Sequence, residues 1–151
     1  LNMGVPFYGR YWHNVGDAVD PSDDMWRTAT ASDGQTKFEG GDVQWRHLHT
    51  RYNVSMARFH QGAKSPYIWI PGNKTFVGFE NPESLSHKID YITKHDLGGV
   101  MIWAIDFDDD QQTMLNVIKQ GDLCERKADK EMAYKCSPID EQRWWTYDDG
   151  E

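Results

Sequence analysis

The sequence predicts an α/β framework interrupted by a smaller α+β insertion. Three stretches carry that prediction. The opening Leu1-Asn2-Met3-Gly4-Val5-Pro6-Phe7 alternates like a strand with two unlike faces. The middle of the chain is dense in turn signals and short apolar runs. Near Asn81 the pattern changes to helix, buried strand, helix, centred on the apolar run Val100 to Ile105.

Each element has its own local pattern. Leu1, Met3, Val5 and Phe7 form the large apolar set of the first strand. Asn2, Gly4, Pro6, Tyr8 and Arg10 form the other set, which is small at first and ends in Tyr and Arg. That gradient fits a strand that faces a crowded interior and opens into a site. Pro6 lacks a backbone donor and argues against a central position. Residues 11–40 read as loops and short strands. Asp42 reads as the cap of a helix running to about Tyr52. Strands are expected at Val54 to His60, Pro66 to Ile70 and Thr75 to Phe79, with Pro71-Gly72-Asn73-Lys74 as a turn between the last two. Pro82 and Glu83 suit the first turn of a helix that carries Leu85, Ile89 and Ile92 at helical spacing, and Gly98-Gly99 closes it. A second helix is expected from about Asp108, with Met114, Leu115 and Ile118 apolar. A short, wholly apolar strand between two helices fits a parallel sheet covered on both faces. Only two framework strands are present, and two parallel strands do not make an independently stable sheet. The chain therefore reads as part of something longer, with residue 1 already inside a strand.

Composition narrows the function. Seven Trp, seven Tyr and six Phe in 151 residues exclude a disordered chain and supply flat surfaces that can build a core or stack on sugar rings. The net charge of −8 argues against nucleic-acid and anionic-membrane partners, which call for a basic face. No apolar run approaches the ~20 residues of a membrane span. Cys124 and Cys136 form no CxxC pair, and bridging them would be worth roughly 3 kcal/mol in a chain-entropy model. Asn53-Val54-Ser55 and Asn73-Lys74-Thr75 are glycosylation triplets, with Asn53 and Asn73 as acceptors. These features together lean towards a secreted, extracellular protein.

Two motifs carry a family resemblance. Gly4-Val5-Pro6-Phe7-Tyr8-Gly9-Arg10 resembles the seventh barrel strand of glycoside hydrolase family 18, the chitinases, and Gly98-Gly99-Val100-Met101-Ile102-Trp103-Ala104-Ile105-Asp106 resembles the eighth. The stretch between them, with Pro66-Tyr67 and Val77-Gly78-Phe79, is similar to the insertion domain that many of these enzymes carry. The tail, with Cys136-Ser137-Pro138 and Arg143-Trp144-Trp145, is similar to the segment beyond the barrel in large fungal chitinases. The resemblance implies the C-terminal part of a (β/α)8 barrel. It divides the chain into residues 1–10 as strand seven, 11–80 as the insertion, 81–121 as the last strand with its flanking helices, and 122–151 as a tail. The remainder of the barrel lies upstream.

The implied reaction is hydrolysis of β-1,4 linkages in chitin or chitooligosaccharides, by a substrate-assisted retaining mechanism that uses no metal or other cofactor. The family's acid motif, Asp-x-x-Asp-x-Asp-x-Glu, is absent. Counting from Asp106, Asp109 fits, but Gln111 and Thr113 occupy the remaining required positions. The segment alone is therefore expected to be inactive. The resemblance gives Trp103 as the floor under a sugar and Tyr8 and Arg10 as its hydrogen-bonding neighbours; Met101, on the same strand face as Trp103 by alternation, is counted with these substrate-binding residues as filling beneath the site. Asp106, Asp108, Asp109 and Asp110 are better read as the start of a helix than as catalytic acids. His47 and His49 do not share a helix face and make a poor metal pair. Trp12, Trp26, Trp45 and Trp69 read chiefly as core of the insertion. The alternative functions are a lectin-like protein that binds chitooligosaccharides without cleaving them, and a structural remnant that does neither.

Overall fold

The computed structural model describes residues 1–29, 31, 38–121 and 123. Among these residues the chain order is β1 (Asn2–Pro6), β2 (Tyr8–Trp12), β3 (Val15–Asp20), β4 (Asp23–Ala29), β5 (Gly40–Gln44), α1 (Trp45–Arg51), β6 (Arg58–His60), β7 (Ser65–Ile70), β8 (Thr75–Gly78), α2 (Pro82–Lys94), β9 (Gly99–Trp103) and α3 (Thr113–Gln120). The strands fall into a parallel pair β1-β9, an antiparallel sheet of order β5-β2-β8-β7-β6, and a hairpin β3-β4.

The two apolar segments expected as framework strands are paired in parallel, with Asn2 opposite Gly99, Gly4 opposite Met101 and Pro6 opposite Trp103. Because side chains alternate, one face of this pair carries Met3, Val5, Val100 and Ile102. That face packs into a core with Leu85 of α2 and Met114 of α3. The other face is open, with Met101 50% and Trp103 64% exposed.

Helix α2 begins as its sequence predicts. Asn81 caps it, its side chain accepting from the Ser84 N–H while the Ser84 hydroxyl accepts from the Asn81 N–H. Pro82 takes the first turn, and Leu85, Ile89 and Ile92 are buried. The helix stops at Lys94, short of the glycine pair, and Asp96 turns through the left-handed region at φ 49°. Gly98 serves the packing of the strands instead. A Cβ there would collide with the Asn2 side chain, so the glycine lets the entrance to β9 lie against β1.

The chain leaves the parallel pair at Phe7, which is fully buried, and Tyr8–Trp12 pairs with β5 and β8 in the antiparallel sheet. The inner face of that sheet, with Val43, Ile68 and Val77, joins the same core.

Three sequence expectations are corrected. Asp42 caps no helix: it lies within β5, and α1 starts only at Trp45 after Gln44. Gly40-Gly41-Asp42-Val43-Gln44 obeys a period of two, with Val43 buried and its polar neighbours outward. Val54 to His60 is not one strand: Asn53 caps a 3-10 turn at Val54–Met56, and only Arg58–His60 pairs with β7. The last helix begins at Thr113, not near Asp108.

Candidate functional site

Phe7 sets the geometry of the site. Its N–H donates to the Trp103 carbonyl at 3.0 Å, and its carbonyl accepts from the Trp45 N–H at 2.9 Å. The tip of β9, the junction of β1 with β2, and the start of α1 are thus joined through backbone. Beyond Phe7, the outward side chains of β2 are Tyr8, Arg10 and Trp12. In the antiparallel register Tyr8 stands opposite Gln44 and Arg10 opposite Asp42, so these four side chains share one face of the sheet.

Trp103 completes the enclosure from the parallel pair. Tyr8, Arg10, Asp42, Gln44, Trp103 and Phe107 line a cavity of about 400 Å³. Its wall is part aromatic and part polar. The Tyr8 and Phe107 rings meet edge to face with centroids 6.4 Å apart. Arg10 Nε donates to Asp42 Oδ1 at 2.8 Å. The terminal N–H donors of its guanidinium have no hydrogen-bond partner among the described residues. A flat indole beside a phenol and a guanidinium can pack on the C–H face of a cyclic polyol while the other two groups bond to its hydroxyls.

The profile of the glycosyl hydrolases family 18 matches residues 1–108, a span that contains all six lining residues. The chain belongs to glycosyl hydrolase family 18. It is similar to chitinase A1 of Niallia circulans, with 31% identity over 122 residues, which is 79% of this chain and 17% of that protein. Among solved structures it is similar to a Rhizomucor miehei chitinase, with TM-score 0.66 and 25% identity, covering 80% of this chain and 38% of that one. It also shares its fold with a plant class V chitinase mutant of Cycas revoluta solved in complex with (GlcNAc)3, with TM-score 0.58 and 20% identity, covering 80% of this chain and 33% of that one. The family 18 chain described here therefore spans a minor part of each of these relatives.

The structure brings Tyr8, Arg10 and Trp103 to one cavity of this family 18 chain. Met101 lies outside its lining. It shares the open face of β9 with Trp103 and lies along Gly4, with its Cε 3.5 Å from where a Cβ of that glycine would be. Asp42, Gln44 and Phe107 join the lining without having been expected there. The signal for the first two is the period-two pattern of β5, which a helical reading hides. Phe107 is the single aromatic among the aspartates beyond β9.

The aspartates themselves build the approach to α3. Asp108, 4% exposed, accepts from the N–H groups of Asp109 and Met114 through Oδ1 and of Leu115 through Oδ2, at 2.8 to 3.1 Å. Asp109 accepts from the Gln111 and Thr113 N–H groups through Oδ1, and from the Trp45 indole at 2.8 Å through Oδ2. Burial pushes the Asp109 carboxyl up, but hydrogen bonds from Thr113, Trp45 and Gln111 outweigh it and hold the group below its ordinary value. Asp110 reaches Arg46 at 3.8 Å, and Asp106 is exposed. The helix-start reading thus describes Asp108 and Asp109, although the helix begins later than expected.

Of the other tryptophans, Trp45 is core at 6% exposure, and Trp69 lies under the Arg27 guanidinium, 4.0 Å from its ring centre. Trp12 and Trp26 line a second, apolar cavity with Phe76 between the hairpin and the sheet. His49 packs edge-on against Trp45, and His47 lies on the same helix. Asn53 is exposed and its side chain accepts from the Ser55 hydroxyl at 2.6 Å. Asn73 is exposed, whereas Thr75 is buried and its hydroxyl shares a hydrogen bond with His13 Nδ1 at 2.9 Å. Cys124, Cys136, Trp144 and Trp145 lie outside the described residues.

Proposed function

We propose that this chain is the C-terminal part of a chitin-hydrolysing family 18 barrel. In this reading β1 is barrel strand seven, β9 is strand eight, the antiparallel sheet with its hairpin is the insertion domain, and residues 122–151 are a tail. The whole protein cleaves β-1,4 linkages between N-acetylglucosamine units in chitin or chitooligosaccharides, outside the cell. The observation that carries the reading is the convergence of Trp103, Tyr8 and Arg10 on one cavity.

The roles come from the chemistry of the side chains. The Trp103 indole packs against the apolar hydrogens of a pyranose ring and fixes the plane of the sugar. Arg10 donates to oxygens on its edge, and Tyr8 offers a hydroxyl that both donates and accepts. Met101 extends the apolar floor below Trp103. In a substrate-assisted retaining mechanism the sugar's acetamide oxygen attacks its own anomeric carbon, so the protein supplies an acid and the groups that hold the ring in the reactive pose. This segment supplies the holding groups. The acid belongs to an Asp-x-x-Asp-x-Asp-x-Glu motif that the 151-residue sequence does not contain.

The test uses the 151-residue chain with two probes. Titration with chitotriose should give a saturable change in tryptophan fluorescence that Trp103→Ala removes. A fluorogenic chitobioside should be left intact. Turnover at rates typical of an enzyme would refute the assignment of the acid to another part of the protein. The same chain without any response to chitotriose would refute the binding role.

A further inference from the structure

We infer that Asp42 is a positioning residue for Arg10, fixing its guanidinium at the cavity wall so that the terminal N–H donors are presented to a sugar. The inference rests on the carbohydrate-binding reading of the cavity and assigns a function to a residue outside the two family motifs.

Four observations support it. Arg10 and Asp42 occupy directly opposed positions in the β2–β5 register, so the pair is built into the sheet. The bond runs from Nε to Oδ1 at 2.8 Å. Nε is the inner nitrogen, so this contact fixes the plane of the guanidinium and leaves its outer edge available. Both residues line the cavity that holds Trp103 and Tyr8. Finally, the two side chains are 62% and 55% exposed, a setting in which an ion pair contributes little to stability.

The physical gain lies in binding. A long arginine on an open sheet face samples many rotamers, and ordering it on contact with ligand costs entropy. Asp42 removes part of that cost in advance, which is preorganisation.

The experiment measures chitotriose affinity of the 151-residue chain by tryptophan fluorescence, for wild type, Asp42→Ala, Asp42→Asn, Arg10→Ala and the double alanine variant. Asp42→Ala should bind up to about fivefold more weakly, the upper range for losing an exposed ion pair that orders Arg10 before sugar arrives. Asp42→Asn keeps an acceptor for Nε and should stay within about threefold of wild type. The double variant should be no weaker than Arg10→Ala, because both changes remove one interaction. Thermal unfolding of Asp42→Ala should match wild type, which separates the loss from misfolding.

Wild-type affinity in Asp42→Ala would overturn the inference. So would additive losses in the double variant, which would mean that Asp42 touches sugar itself, or an Asp42→Asn variant as weak as the alanine. Wild type without saturable binding would overturn the carbohydrate reading, and this inference with it.

Discussion

The parallel pair and the antiparallel sheet share one core but present opposite chemistries to the cavity. The pair β1-β9 is buried on the face of Val5 and Ile102 and open on the face of Met101 and Trp103, which is apolar towards the cavity end. The sheet is buried on the face of Val43 and Val77 and presents Arg10, Asp42 and Gln44 outward, with Tyr8 beside them. One region offers a flat apolar surface and the other a hydrogen-bonding wall. Neither alone encloses this cavity. The site exists at their seam, so residues that hold the seam and residues that line it should fail in different ways.

The largest effect should come from breaking the seam. Phe7→Ala removes a wholly buried side chain from the core common to both regions and should cost about 3–5 kcal/mol, read from urea unfolding. Lining residues should spare stability and lose binding. Trp103→Ala should weaken chitotriose binding by about 2 kcal/mol, roughly thirtyfold by titration calorimetry, while unfolding stays near wild type because the indole is largely exposed. Stability equal to wild type in the Phe7 variant, or unfolding of the Trp103 variant, would erase the distinction.

The next effect concerns pH. The Asp109 carboxyl is held below its ordinary value, so its contribution to stability is complete above the usual aspartate range near 3.8 and is lost as pH falls through the lower folded value. Acid unfolding should therefore steepen below that range. Asp109→Ala should flatten this steepening and cost about 1 kcal/mol at neutral pH. The smallest effect belongs to Asp110, whose side chain is 93% exposed and 3.8 Å from Arg46: Asp110→Ala should change unfolding by less than about 0.5 kcal/mol.

Legibility in the sequence obeys the same division. The parallel pair and α2 announce themselves locally. An apolar run after two glycines needs burial, and Asn81 with Pro82 specifies a helix start at the place where one is found. The family motifs of these strands carry Tyr8, Arg10 and Trp103 with them, and the three do converge. The antiparallel sheet is less legible because its strands are short and their faces mixed. Asp42 beside Val43 and Trp45 can be fitted to a helical period or to a strand, and only pairing with β2 decides between them. The β-branched Val54 draws its neighbours into a strand reading, whereas the Asn53 side chain captures the Ser55 amide and turns the backbone. The onset of α3 reads too early because carboxylates favour a helix start from several residues away. Asp108 reaches forward to the amides of Met114 and Leu115, a span that no local propensity records.

The peptide groups at Phe7 have an architectural consequence. Trp103 and Tyr8 stand on opposite walls, and those walls are tied through the Phe7 N–H and the Trp103 carbonyl, with α1 secured through the Phe7 carbonyl. None of these ties involves a side chain. The seam at Phe7 is therefore held by main chain, and substituting a lining side chain leaves these ties in place. Proline at position 7 or 45 would remove one of these N–H donors and so loosen the seam itself.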